Sequence, residues 1–183
     1  MEKVSAQQQI GTALLESLKN MIQKTALVFT KDPEISERNV VEYASRMRVS
    51  GLEKFNGPCF VAAVNYYLTP ADEKAQKAHG ALMIFLEEEN AARFLKGMGY
   101  TGFHDDDEEM ISQKSGELCT AVAENFKSDL SKLGQKDLIL SKPVIQKNDI
   151  PEGVAFPYEQ YKYSELSFHL WKKKIFVVDV VVG

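Results

Sequence analysis

Cysteine is nearly absent from this chain, and the two residues present, Cys59 and Cys119, are far apart with no CxxC pair and no zinc-ligand spacing. That excludes a disulfide framework. Cys59 sits in an apolar run and Cys119 among small helical residues, so two reduced hydrophobic side chains in a cytoplasmic protein are expected rather than a redox pair. Histidine is scarce too. Neither His79 nor His169 has a serine, cysteine or acid at a spacing that suits nucleophilic triad chemistry. Positive charge is in deficit, with 22 Lys and Arg against 26 Asp and Glu, and Lys172 to Lys174 is the one basic cluster. That balance argues against nucleic acid as a partner. There is no long apolar run: Ile175 to Val182 is interrupted by Asp179 and falls far short of the roughly 20 residues of a membrane helix. Met1 to Ala6 has no basic segment leading into an apolar core, so no signal peptide and no membrane association are expected. Gly97, Gly99 and Gly102 do not follow a strand, which removes a dinucleotide or phosphate loop. Repeats, low-complexity tracts and linkers are lacking as well.

What is present suffices for one ordinary core. With 183 residues, 44% of them hydrophobic, the chain needs no disulfide or metal staple and is expected to form a single domain over 1–183. Ile10, Leu14, Leu18, Met21 and Ile22 mark one face of a helix between Gln7 and Lys24. Ala26 to Phe29 reads as a short strand that Lys31-Asp32-Pro33 breaks with a turn. Val40 to Val49 reads as a half-exposed strand, and Cys59 to Leu68 as a buried one, too β-branched and aromatic to prefer helix. Thr69 to His79 is a polar connection with room for a helical turn, followed by a buried strand at Gly80 to Leu86. Helical spacing returns at Glu87 to Met98, with glutamates at the end the helix dipole favours.

A second acidic stretch, Asp105 to Glu109, opens a long helix that carries Ile111, Leu118, Val122, Phe126, Leu130 and Leu133 on one stripe and stops at Gly134. Short β segments flank Pro143, Ile150 to Pro157 reads as a loop, and Tyr161 to Trp171 pairs with Ile175 to Val182 in a closing antiparallel hairpin. Helices and strands in separate runs give an α+β fold, an antiparallel sheet packed with an N-terminal helix and a long central helix.

His104 and its aspartates admit a metal reading, yet capping of the long helix explains the same residues, and no second ligand cluster exists in the sequence. The central helix carries more information. Glu117, Thr120, Glu124 and Lys127 recur at three- and four-residue spacing, and Glu117 lies about 100° round from the core stripe, so its carboxylate should reach solvent. Gly116 within a helix costs roughly 1 kcal/mol relative to alanine and asks for a packing or access explanation. Spacing alone fits a plain solvated face with Glu117 and Glu124 near Lys114 and Lys127.

With the order of elements added, the chain resembles the CheX/CheC family of chemotaxis phosphatases. Gly80 to Leu86 and Glu88 to Met98 match the family's strand and short helix, and Asp105 to Glu109 its acidic lead into a long helix. Gly116-Glu117-Leu118-Cys119-Thr120 stands where the family has Gly-Glu-x-x-Asn, and Glu124 where a glycine usually follows. Leu130 to Gly134, Pro143-Val144 and the closing hairpin continue the match over most of the chain, with extra length at Thr69 to His79 and Ile150 to Pro157.

The resemblance implies a phosphatase of a CheY-like phosphorylated receiver. Glu117 would engage the receiver's conserved lysine and the residue at the Asn position would orient the attacking water. The receiver would supply the phosphoaspartate and its Mg²⁺, so this chain would bind no cofactor of its own. Thr120, a short hydroxyl on a stiff side chain, replaces the amide, and Glu124 adds charge beside it. Asn125, about 140° round the helix from position 120, cannot substitute. A non-catalytic module that dimerises, or that binds a receiver or another signalling protein without hydrolysis, is therefore the alternative. The resemblance also implies a homodimer through sheet elements, for which the apolar carboxy-terminal strand offers an edge unless Asp179 guards it.

Overall fold

A computed structural model describes residues 5–135 and 137–183; residues 1–4, which carry most of the signal-peptide reading, lie outside the described residues. In chain order the elements are α1 (Ala6–Gln23), β1 (Phe29–Asn39), β2 (Glu42–Tyr43), β3 (Arg46–Ser50), α2 (Leu52–Phe55), β4 (Cys59–Tyr67) and α3 (Pro70–Lys74). There follow β5 (Gly80–Glu87), α4 (Glu88–Gly97), α5 (Glu108–Lys132), β6 (Ile139–Leu140), β7 (Val144–Lys147), β8 (Asp149–Val154), β9 (Lys162–Leu170) and β10 (Lys173–Val182). The expected α+β organisation is what forms. A seven-stranded antiparallel sheet runs β1-β9-β10-β5-β4-β6, with β7 also on β4, and a three-stranded sheet runs β2-β3-β8.

The near-continuous apolar runs of β4, β5 and β10 follow from burial on both faces. Successive side chains alternate between two cores. Phe60, Ala62, Val64, Leu82, Ile84, Phe176, Val178 and Val180 pack under α1, α4 and α5, while Val61, Ala63, Met83, Phe85, Val177 and Val181 pack against Met47, Val49, Ile150 and Val154 of the small sheet. α1 buries the expected stripe of Ile10, Leu14, Leu18 and Ile22. A Ser5–Gln8 capping box closes its first turn, with the Gln8 N–H donating to Ser5 Oγ at 3.1 Å.

Four expectations are corrected. Ala26 to Val28, expected as strand, is not one: β1 begins at Phe29, where the strand was expected to end, and runs through Pro33. It can do so because β1 lies at the edge of the sheet and register shifts between Phe29 and Glu34 bracket the proline, so its missing N–H breaks no ladder. Val40 to Val49 is a hairpin, with Ala44 and Ser45 both at positive φ in a two-residue turn. Ile150 to Pro157 contributes a strand, β8. Gly153 takes φ +67 where a Cβ would lie 2.4 Å from the Met47 carbonyl oxygen, next to a shift in register. The carboxy-terminal strand is no edge, because β10 is central, paired with β9 on one side and β5 on the other.

Candidate functional site

α5 is tied down by its ends and its buried face. The Asp107 carboxylate accepts from the Met110 N–H at 3.2 Å, Asp105 pairs with Lys96, and the Lys147 ammonium bridges Glu88 and Glu108. The acidic stretch is thus a capped helix start, and no group of three or more metal-ligating side chains occurs among the described residues. Ile111, Leu118, Val122, Phe126 and Leu130 face the sheet, whereas Leu133, expected on the same stripe, is exposed. Tyr66 of β4 donates its hydroxyl to the Ala123 carbonyl at 2.8 Å, fixing the helix to the strand beneath it.

Cys119 faces the same core and Cys59 the opposite one. Both thiols are free, and burial pushes each up to about 12, so no redox pair forms.

Gly116 has a packing explanation. It is buried, and a Cβ on it would lie 2.4 Å from Ile145 Cδ1 and 3.5 Å from Pro143 Cγ, so the missing side chain is what lets β7 lie against the helix. It faces that strand and not the open surface.

One residue on, Glu117 points to solvent. Its Oε1 and Oε2 accept from Lys114 Nζ at 3.2 and 3.4 Å, with the glutamate side chain 54% and the lysine side chain 20% exposed. Thr120 is half-buried and Glu124 exposed. A separation of three residues sets Thr120 about 60° round and about 4.5 Å along the axis from Glu117, so the two share one face. Of the two ion pairs the spacing suggests, Lys114–Glu117 forms and Glu124–Lys127 does not.

Asn125 is engaged elsewhere, donating from Nδ2 to Ser17 Oγ of α1 at 3.1 Å. Tyr100, after α4, was not singled out by any spacing. It packs partly buried against the main core, where burial raises its phenol first and the charge of Glu117 raises it further.

A second polar centre lies on the opposite side of the main sheet, and no local spacing in the sequence points to it. Lys54 Nζ of α2 donates to Glu165 Oε2 at 2.5 Å and pairs with Asp179 Oδ2 at 2.8 Å, with all three side chains nearly buried. Arg38 adds a contact to Glu165 at 3.4 Å. Asp179 Oδ1 has no partner, and a cavity of about 50 Å³ lined by Asn39, Ser50, Lys54, Tyr163 and Asp179 adjoins it. Burial raises Asp179 to about 6 against the pull of Lys54; burial also opposes the charge on Lys54, but Asp179, Tyr163 and Glu165 outweigh it and hold its ammonium above the ordinary range. Asp179 is therefore an internal ion-pair partner and not an edge charge that discourages pairing. No helix among the described residues is long and apolar enough to cross a membrane.

No protein-family model matches the chain, and no curated protein sequence does. Solved structures do. The chemotaxis protein CheX from Vibrio vulnificus matches at TM-score 0.60 and 14% identity, covering 96% of this chain and 99% of that one. A putative chemotaxis protein from Desulfovibrio vulgaris Hildenborough matches at TM-score 0.59 and 11% identity, over 96% and 97% of the two chains. CheX in the CheX–CheY–BeF₃–Mg²⁺ complex from Borrelia burgdorferi matches at 0.52 and 13%, over 98% and 99%. At such identities the likeness is one of fold, and it spans essentially the whole of each chain. The chain has the CheX/CheC-like fold.

Proposed function

We propose that this chain is a chemotaxis-type signalling module that docks on a CheY-like receiver domain through the open face of α5. Glu117 is the residue that meets the receiver's lysine. The observation that carries the reading is the placement of Glu117: its carboxylate is the acidic group of the expected motif, and it stands on the solvent-facing side of α5, away from the stripe that packs on the sheet. A fold shared along its full length with a CheX solved in complex with CheY supports the same partner. The receiver brings the phosphoaspartate and Mg²⁺, and this chain brings orientation and charge.

Hydrolysis is the second reading, and Thr120 decides it. In-line attack needs a water held opposite the scissile P–O bond. It yields inorganic phosphate and returns the aspartate carboxylate to the receiver. Thr120 offers one short hydroxyl where an amide would reach further, and Glu124 brings a negative charge toward the phosphorylated pocket. These two residues favour binding with slow hydrolysis or none, whereas the retained Gly116-Glu117 pair favours activity. Gly116 acts in either case by packing and not by contact with the partner.

Phosphate release from phosphorylated receivers of the source organism separates the readings. A binding module leaves release at the receiver's own rate, and Thr120→Asn raises it by about tenfold or more on an intact platform, as general positioning effects allow. Acceleration by the unaltered chain that disappears in Glu117→Ala establishes the phosphatase instead. Failure of every receiver to bind or respond overturns both readings.

A further inference from the structure

The geometry points to Lys114 as an internal competitor for the docking site: its ammonium occupies the Glu117 carboxylate in the free protein and must be exchanged for the ammonium of the partner. This rests on the receiver-docking reading above and concerns how that site is regulated. Three observations carry it. Lys114 Nζ lies within hydrogen-bonding distance of both Glu117 oxygens, at 3.2 and 3.4 Å, so neither oxygen is left to solvent alone. The lysine side chain is only 20% exposed although the pair sits on the outer face, so its stem lies against the protein and the ammonium is held in place. Among the described residues no other cation is paired with Glu117, and no ion pair engages Glu124, the next acid along the face.

A second ammonium brought to the same carboxylate stands within a few ångströms of the first, and two like charges so close repel. Docking is then an exchange, in which Lys114 swings away as the receiver's lysine takes its place. The order of the pair on the helix makes that exchange easy. Lysine three residues before glutamate is the weaker orientation, and exposed pairs contribute little to stability. The contact therefore tunes affinity without locking the site. The opposing effect is also defined. A receiver pocket rich in carboxylates is drawn to any lysine, so if long-range attraction outweighs the exchange, removing Lys114 weakens docking.

The experiment measures binding of a CheY-type receiver loaded with beryllofluoride and Mg²⁺ to the full chain and to Lys114→Gln, Lys114→Arg, Glu117→Gln and the double variant Lys114→Gln/Glu117→Gln. Circular dichroism verifies that each is folded. Lys114→Gln should bind about two- to fivefold more tightly, the size expected for releasing one exposed pair. Lys114→Arg should stay near the unaltered chain, and the gain should vanish in the double variant, since it acts through Glu117. Equal or weaker binding by Lys114→Gln overturns the proposal, as does a gain that persists without Glu117. Where the unaltered chain binds in a Glu117-dependent way and Lys114→Gln gains nothing, the competitor role alone falls. Where neither binds, the docking reading falls and takes this one with it.

Discussion

Asp179 illustrates how one side chain can be misread in a sequence and then govern stability in the structure. In the run Ile175 to Val182 it looks like a charge placed to interrupt an apolar strand. In the fold it is 3% exposed, held to Lys54 through Oδ2, with Oδ1 unpartnered. Lys54, Glu165 and Tyr163 face it, and Arg38 stands behind Glu165. Its folded-state value of about 6 lies above the ordinary 3.8, so the folded chain takes up a proton before the unfolded chain does. Its contribution to stability therefore grows as pH falls from about 6 toward 3.8, and is lost as pH rises through about 6. The full difference is on the order of 3 kcal/mol. Urea unfolding between pH 4 and 7.5 should show that component in the unaltered chain. Asp179→Asn should lack it, and an identical slope in both would contradict the assignment. Glu117, by contrast, was legible: spacing on a helix fixes which residues leave the core stripe, and that is all its exposure required.

Among the elements, the helices and the doubly buried strands announce themselves because a single local rule accounts for each. The 3.6-residue stripe gives α1 and α5, and unbroken β-branched and aromatic runs give β4, β5 and β10. The elements that misled are those whose local chemistry is overruled by position. Pro33 signals a stop, yet an edge strand with a bulge tolerates it; Ala44-Ser45 is an uncharacteristic turn pair; Pro151 and Gly153 look like loop but sit in an edge strand.

Gly116 lies between these cases, since its oddity in a helix was visible but its cause, Ile145 against the helix backbone, depends on a strand 29 residues later. Gly116→Ala should destabilise the fold by about 1–3 kcal/mol through overpacking, even though alanine is worth roughly 1 kcal/mol more in a free helix. Chemical denaturation measures it, and Ile145→Val in the same chain should recover part of the loss. A stabilised Gly116→Ala would refute the packing account.

At the scale of the whole molecule, the main sheet separates two kinds of polar chemistry. On one side α5 offers a carboxylate to solvent; on the other, Lys54 draws two carboxylates into the gap between the sheets. The second arrangement joins α2 to the centre of the main sheet, since its partners come from β9 and β10. Breaking such a buried pair is costly, whereas the Lys114–Glu117 pair is exposed and cheap to exchange. That contrast is why α5, and not the buried cluster, is the face suited to a transient partner. The architecture was readable because it follows from which runs must be buried twice. The two polar centres were not equally so: the ion cluster joins residues 54, 165 and 179, which no local spacing relates.

The central claim is that the Glu117 face of α5 receives a receiver domain, and the most direct measurement is the affinity of a phosphorylated CheY-type receiver for the unaltered chain and for Glu117→Ala. The account predicts saturable binding that favours the phosphorylated over the unphosphorylated receiver, weakened by about tenfold or more in Glu117→Ala, as for loss of one charge-assisted contact at an interface. Binding of equal strength by Glu117→Ala would contradict it.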